Sequence, residues 1–292
     1  METLEQQKKS LNQVYKDDIL AFIGLKHCHM GYWHADNNDD FTRAQEDHLV
    51  KIVEPLGIKS GDRILDIGGG QGGTSIWLAK NYKCNVMIVE VVENMVWEAN
   101  KEIQKQRLEN QVQTVCSDIL KFEGHEENFD HIISVEALHH IYDKENLFKK
   151  IASLLKPGGK FAASIDLCYL NPGVLRKIYS KLILGDGDIS PLDHYAEAIK
   201  KSNLDQCETE DISDAVFSKS MKMLMREPYY SKLVEYHRKH YGRLLTLLFP
   251  LFAKWHNSVV RKKQLGLVIC RAQKTEPVLN ENSFLAQRTI PA

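Results

Sequence analysis

The chain is predicted to be an α/β protein built on a doubly wound, seven-stranded, mostly parallel sheet. Three observations predict this. From about Lys51 onward, short apolar runs alternate with segments whose apolar residues recur at helical spacing. The short runs are nearly continuous in Val, Ile and Leu, as strands covered on both faces are, instead of alternating apolar with polar. The first run leads into LDIGGGQGG (Leu65–Gly73), a glycine-rich turn that opens a helix, where open α/β sheets hold ligands.

In chain order, residues 1–50 read as helical and polar, interrupted by HCHMGYW (His27–Trp33) and the acidic ADNNDD. RILDIG is strand one, TSIWLAKNY the helix after it, and NVMIVE strand two. A helix follows from Glu93 to about Gln106. VQTVCSD is strand three and FDHIISV strand four. KENLFKKIASLL is amphipathic at helical spacing and is stopped by Lys156-Pro157-Gly158-Gly159, since proline and glycine break helices. KFAASID is strand five, Pro191–Ser202 a helix, LDQCETEDI strand six and LGLVICRAQ (Leu265–Gln273) the last strand. The stretch between the last two strands is rich in Met, Tyr and Phe and too long for a hairpin loop, so a helical cap insertion is expected. The predicted organisation is an N-terminal helical segment (1–50) closing over the site, a core (51–212 and 264–274), the cap (213–263) and a tail (275–292).

Composition narrows the function classes. The 292 residues are 43% hydrophobic and 26% charged, with a net charge of −1, so nothing global points to nucleic acid. Met1–Ser10 is polar and carries no apolar leader, and Leu244–Phe252 is too short to span a bilayer, so a cytoplasmic location is expected. The six cysteines are scattered without a C-x-x-C pair and read as buried reduced thiols. The insertion carries Lys232, Arg238, Lys239, Arg243, Lys254, Arg261, Lys262 and Lys263 beside LLTLLFPLF. A solvated basic face over a packed stripe is favoured there over membrane contact.

The glycine loop matches G-x-G-x-x-G, a pattern shared with dinucleotide-binding proteins. Its neighbours decide the ligand. Asp66, two residues before the first glycine, would repel a pyrophosphate and suits a positively charged group. Glu90 ends strand two, where a carboxylate meets ribose hydroxyls. Asp118 ends strand three, where it can meet an adenine amine. A phosphate-free aminoacyl adenosine satisfies all three acids, and S-adenosylmethionine is such a molecule.

These motifs resemble those of class I S-adenosylmethionine-dependent methyltransferases. The resemblance rests on LDIGGGQGG with Asp66, Gly68, Gly70 and Gly72, on VMIVEVVENMVWEAN, on FDHIISVEALHHI and on LLKPGGKF, in that order and spacing over about residues 30–170. It implies a Rossmann-like fold, S-adenosyl-L-methionine as cofactor and a small organic acceptor. The chain is most similar to small-molecule natural-product and sugar O-methyltransferases. That likeness implies Tyr32 and Gln45 closing over the methionine end of the cofactor. It also implies a binding set of Asp66, Gly68, Gly70, Gly72, Glu90, Asp118, Ile119 and Glu136.

An alcohol nucleophile needs its proton removed, and histidine is suited to that near neutral pH. EALHHIYD places His139 and His140 on the loop after strand four, at the carboxyl edge of the sheet. The expected arrangement has His140 as base, Asp166 at the end of strand five as its orienter, and His139 as a neighbouring substrate or structural contact. A purely structural His pair is the competing reading. C- or N-methylation of a lipophilic, quinone-like or amine substrate, and a cofactor-binding module without turnover, also remain open. No metal is expected at the His pair with Asp166, because a third close His or Cys is lacking.

Overall fold

The computed structural model describes residues 19–34, 39–168 and 189–275, with side chains left undescribed at 240–250 and 252–253. The N-terminal segment opens with a short helix α1 (Ile19–Phe22), runs as irregular chain through His27–Trp33, and enters α2 (Phe41–Val53). Asp40 caps α2 by accepting a hydrogen bond from the Arg43 amide at 3.1 Å. The buried face of α2 is Phe41, Ala44, Gln45, His48, Leu49 and Ile52, one stripe at helical spacing that includes two polar residues.

The core runs β1 (Arg63–Ile67), α3 (Gly73–Tyr82), β2 (Asn85–Glu90), α4 (Glu93–Lys105), β3 (Val112–Cys116), β4 (Phe129–Val135), α5 (Lys144–Leu154) and β5 (Leu155–Cys168). It continues through α6 (Leu192–Lys200) and β6 (Leu204–Asp211), then a π-turn (Asp214–Ser218), α7 (Lys219–Leu224), α8 (Tyr229–Arg261) and β7 (Leu265–Lys274). The sheet order is β3-β2-β1-β4-β5-β7-β6. Strands β1 to β5 pair in parallel, whereas β7 lies antiparallel between β5 and β6. The sequence order reverses between β1 and β4, which opens a crevice at their carboxyl ends.

One apolar layer packs α5 and α6 on the sheet through Phe148, Phe161 and Tyr195, and the other packs α2, α3 and α4 through Leu49, Trp77 and Ala99. A third cluster joins Ile23, Trp33 and Phe41 of the N-terminal segment to Met221, Met223 and Leu233 of the insertion. The Met- and aromatic-rich residues named here are therefore packing residues. Trp33 Nε1 donates to Ser220 Oγ at 2.7 Å and its amide to the Ala215 carbonyl at 2.9 Å, so the N-terminal segment and the insertion share one interface.

Two expectations differ from the structure. The Lys156–Gly159 turn lies inside β5, because the strand begins at Leu155 opposite Phe129 and bulges before Lys160 pairs with His131. Gly158, at φ 72°, supplies the left-handed residue of that bulge. Cys84, Cys168 and Cys270 are buried as expected, but Cys28, Cys116 and Cys207 are exposed; Cys116 and Cys207 lie on the two outermost strands, where one flank is uncovered. The tail beyond residue 275, and most of the side chains of LLTLLFPLF, lie outside the described residues. No helix among the described residues is long and apolar enough to cross a membrane.

Candidate active site

The crevice between β1 and β4 is a cavity of about 260 Å³. Its floor is the glycine loop. Gly68, Gly70 and Gly72 all have positive φ, at 69°, 54° and 79°. A side chain on Gly68 would stand 2.5 Å from the Ala137 Cβ, so this loop and the one after β4 approach in a way that only glycine allows.

Asp66 lies under the loop and accepts a hydrogen bond from Ser75 Oγ at 2.7 Å. Burial, reinforced by the Glu90 carboxylate, pushes the Asp66 carboxyl up to about 7, against the Ser75 bond. Glu90 is fastened at both oxygens, accepting from the Gly70 amide at 3.1 Å and the Val92 amide at 2.9 Å. Its burial raises its pKa as well. Asp118 accepts from the Leu120 amide at 3.0 Å and leads into a short turn that buries Ile119. All four residues line the cavity. Three acids rim a glycine cradle that a Cβ would fill. These acceptors disfavour a pyrophosphate and fit an adenosine carrying ribose hydroxyls and a cationic amino-acid end.

The loop after β4 carries the second set. Glu136 sits at φ 49°, an uncommon conformation for a non-glycine residue, and its amide donates to the Ser164 carbonyl at 3.0 Å. Leu138–His140 form a 3-10 turn that faces His139 toward the sheet and His140 toward the cavity. Asp166 Oδ2 lies 3.3 Å from His139 Nδ1, and His139 Nε2 lies 3.0 Å from His140 Nε2. Asp166 therefore reaches His139, whereas contact with His140 was expected. The two rings lie against each other, with centroids 4.1 Å apart, and the inner one, His139, stands between His140 and Asp166 of β5. Burial first, then His139 and the Lys144 ammonium, hold the His140 imidazole well below the usual histidine range. Lys144 is itself buried, donating to the carbonyls of Leu138 and Ile141 and lying 5.2 Å over the Tyr195 ring, so it ties down the loop.

Tyr32, Gln45, Gly72, His139 and Asp166 do not line the cavity. Gln45 Nε2 donates instead to the His27 and His29 carbonyls, at 2.7 and 2.6 Å, and so shapes the segment that brings Cys28 and His29 to the wall. The Tyr32 amide donates to the Ala44 carbonyl at 2.8 Å. Gly72 faces Ala99 of α4 and Ile88 of β2, on the packing side of the loop. Cys28, His29, Ser75 and Lys144 were missed by the sequence reading. The crowding of histidines in HCHMGYW was the signal available for His29; for Ser75 and Lys144 the sequence offers none.

The fold and this acid-rimmed loop define an S-adenosylmethionine-binding methyltransferase domain of class I. Residues 64–159 match the family model described as a methyltransferase domain. Over 205 residues the chain is 25% identical to "Methyltransferase GfsG" of Streptomyces halstedii, covering 68% of this chain and 73% of that one. It is 27% identical over 203 residues to 27-O-demethylrifamycin SV methyltransferase of Amycolatopsis mediterranei (strain S699), covering 67% and 73%. Among solved structures, phosphoethanolamine N-methyltransferase 2 of Haemonchus contortus superposes with a TM-score of 0.76 at 20% identity, covering 92% of this chain and 60% of that protein. The chain therefore carries an S-adenosylmethionine-dependent methyltransferase domain.

Proposed function

We propose that the enzyme methylates a hydroxyl oxygen of a small organic acceptor, with His140 taking the hydroxyl proton and Asp166 acting on it through His139. The observation that carries this reading is the succession Asp166, His139, His140: a close charge contact of 3.3 Å, then a ring-to-ring contact of 3.0 Å, ending at the cavity. Likeness to an enzyme named for a 27-O-demethyl compound supports the oxygen acceptor.

S-adenosylmethionine, when bound, supplies an electrophilic methyl group. Asp66, Gly68, Gly70, Glu90, Asp118 and Ile119 would hold it, with Asp66 on the side of its positive charge and Glu90 toward the ribose. The remaining work falls to the chain's own residues. The Asp166 carboxylate favours the proton on His139 Nδ1, leaving His139 Nε2 as acceptor. His140 then carries its proton on Nε2 and donates it to His139, so His140 Nδ1 is the basic nitrogen. A proton taken there places charge on a ring whose other nitrogen leads, through His139, to a buried carboxylate. Positioning of the acceptor against the methyl supplies further acceleration, by up to roughly 7–11 kcal/mol where alignment is ideal. The N-terminal segment and the insertion, packed together at Trp33, would close the acceptor side.

Transfer of a labelled methyl group to a panel of hydroxylated acceptors tests the reading. Turnover should fall in His140→Ala and Asp166→Asn while S-adenosylhomocysteine still binds. Near wild-type turnover in both variants rejects the base. A second reading, N-methylation of an amine, is favoured by one observation: Glu136, a partly buried carboxylate on the cavity wall, would suit an ammonium. Product analysis showing an N-methyl group would establish that reading in its place.

A further inference from the structure

A second cluster of polar side chains stands on the wall of the same cavity. His29 and His48 are both buried, at 2% and 0% exposure. Each has Nδ1 at 2.9 Å from the Met30 carbonyl oxygen, while Nε2 of each has no hydrogen-bond partner. The Met30 amide donates to Glu136 Oε1 at 3.2 Å, and that oxygen lies 3.6 Å from His48 Nδ1. One ring nitrogen from each histidine and a Glu136 oxygen all lie within 4.8 Å of one another. These residues come from the irregular segment, from α2 and from the loop after β4, so no sequence spacing announces the group.

Two physical features need explaining. Two buried imidazoles each leave Nε2 without a protein partner, and each lost hydrogen bond costs about 1–3 kcal/mol. The carboxylates of Glu136, on the cavity wall, and of Asp166, buried on β5, also belong to this region. Among the described residues, no lysine or arginine forms an ion pair with either one. A buried charge needs a counter-charge. A divalent cation answers both demands, because it takes lone pairs from neutral imidazole and from carboxylate together.

We propose that His29, His48 and Glu136 form a site for one first-row divalent cation, of the Zn²⁺ or Co²⁺ type. Two imidazoles and one carboxylate suit such ions better than Mg²⁺ or Ca²⁺, which prefer oxygen. Ligand bonds of about 2.0–2.2 Å bring donors to within roughly 3–3.5 Å of each other, so the three side chains close slightly on the ion. The Met30 carbonyl, in contact with both rings, orients them in the manner of an outer-shell partner. His29 and Glu136 also line the cavity, so the ion would face the acceptor and could orient an oxygen there. That last role rests on the proposed methyl transfer; the site itself does not.

Full-length protein stripped with a chelator is titrated with CoCl₂, and d–d absorption is followed. One equivalent should bind saturably and be displaced by ZnCl₂. His48→Gln and the double variant His29→Gln/His48→Gln should weaken binding by about tenfold or more. Far-UV circular dichroism and cooperative thermal unfolding of the same preparations report that they are folded. Wild-type protein without saturable Co²⁺ or Zn²⁺ binding overturns the proposal, as does a folded double variant that binds as wild type does. Neither readout requires turnover. Failure of the O-methylation reading therefore leaves the metal result interpretable, and the converse also holds.

Discussion

At the scale of single residues, the 3.0 Å contact between His139 and His140 divides two roles that the sequence merges. His140 faces the cavity and His139 faces Asp166, so truncating either should break the same chain. His140→Ala and His139→Gln are expected to lower kcat by roughly 10²–10⁴-fold, with the affinity for S-adenosylhomocysteine within a few-fold of wild type. Stopped-flow turnover and calorimetry measure the two quantities. Equal loss of binding in both variants would make the pair structural. Asp66 carries a prediction about pH. Its native pKa of about 7 lies above the ordinary 3.8, so the folded cofactor-free protein holds this proton more tightly than the unfolded chain. The stability this confers is fully present below pH 3.8 and is lost as pH rises through about 7. Asp66→Asn should flatten that part of the curve in a plot of Tm against pH, and an unchanged slope would count against it.

At the scale of elements, the loops at the carboxyl ends of β1 and β4 depend on close approach. Gly68→Ala places a methyl 2.5 Å from Ala137 at positive φ, so loss of stability by about 1–3 kcal/mol and loss of cofactor binding are expected. Thermal unfolding with and without S-adenosylhomocysteine checks both. Gln45 tests how α2 positions the irregular segment. Gln45→Ala leaves the His27 and His29 carbonyls without their donor. A cost of about 1–3 kcal/mol and weaker cofactor affinity should follow, through displacement of Cys28 and His29 from the wall. The element order is legible in the sequence because the central strands are short apolar runs and the flanking helices keep an apolar stripe. The exception is Lys156–Gly159, where Pro157 and Gly158 read as a break. In the sheet they form a bulge, held by pairing to β4 and by the Gln273 side chain on the Gly158 carbonyl.

At the scale of the whole molecule, the N-terminal segment and the insertion share a core although they are far apart in the chain. Trp33, Phe41, Tyr229 and Met221 meet there, and Asp39 pairs with Lys219 and Arg226. Hydrogen exchange should show residues 19–34 and 219–238 opening as one unit at similar free energies. Trp33→Ala should raise exchange in both segments and leave β1–β5 protected. Exchange raised in the N-terminal segment alone would refute the shared unit.

The glycines, the three acids and the alternation of strands and helices are local signals. Each is a residue type required by backbone geometry or ligand charge at a fixed distance along the chain, so the sequence by itself determined the fold class and the cofactor. The partners of those residues were settled only by the tertiary structure. Asp166 on His139, Ser75 under Asp66, Gln45 behind His29, and the meeting of His29, His48 and Glu136 depend on which strands become neighbours and which way a single turn faces its rings. No periodicity records such contacts, because they join segments brought together only when the sheet closes and its two apolar faces are covered.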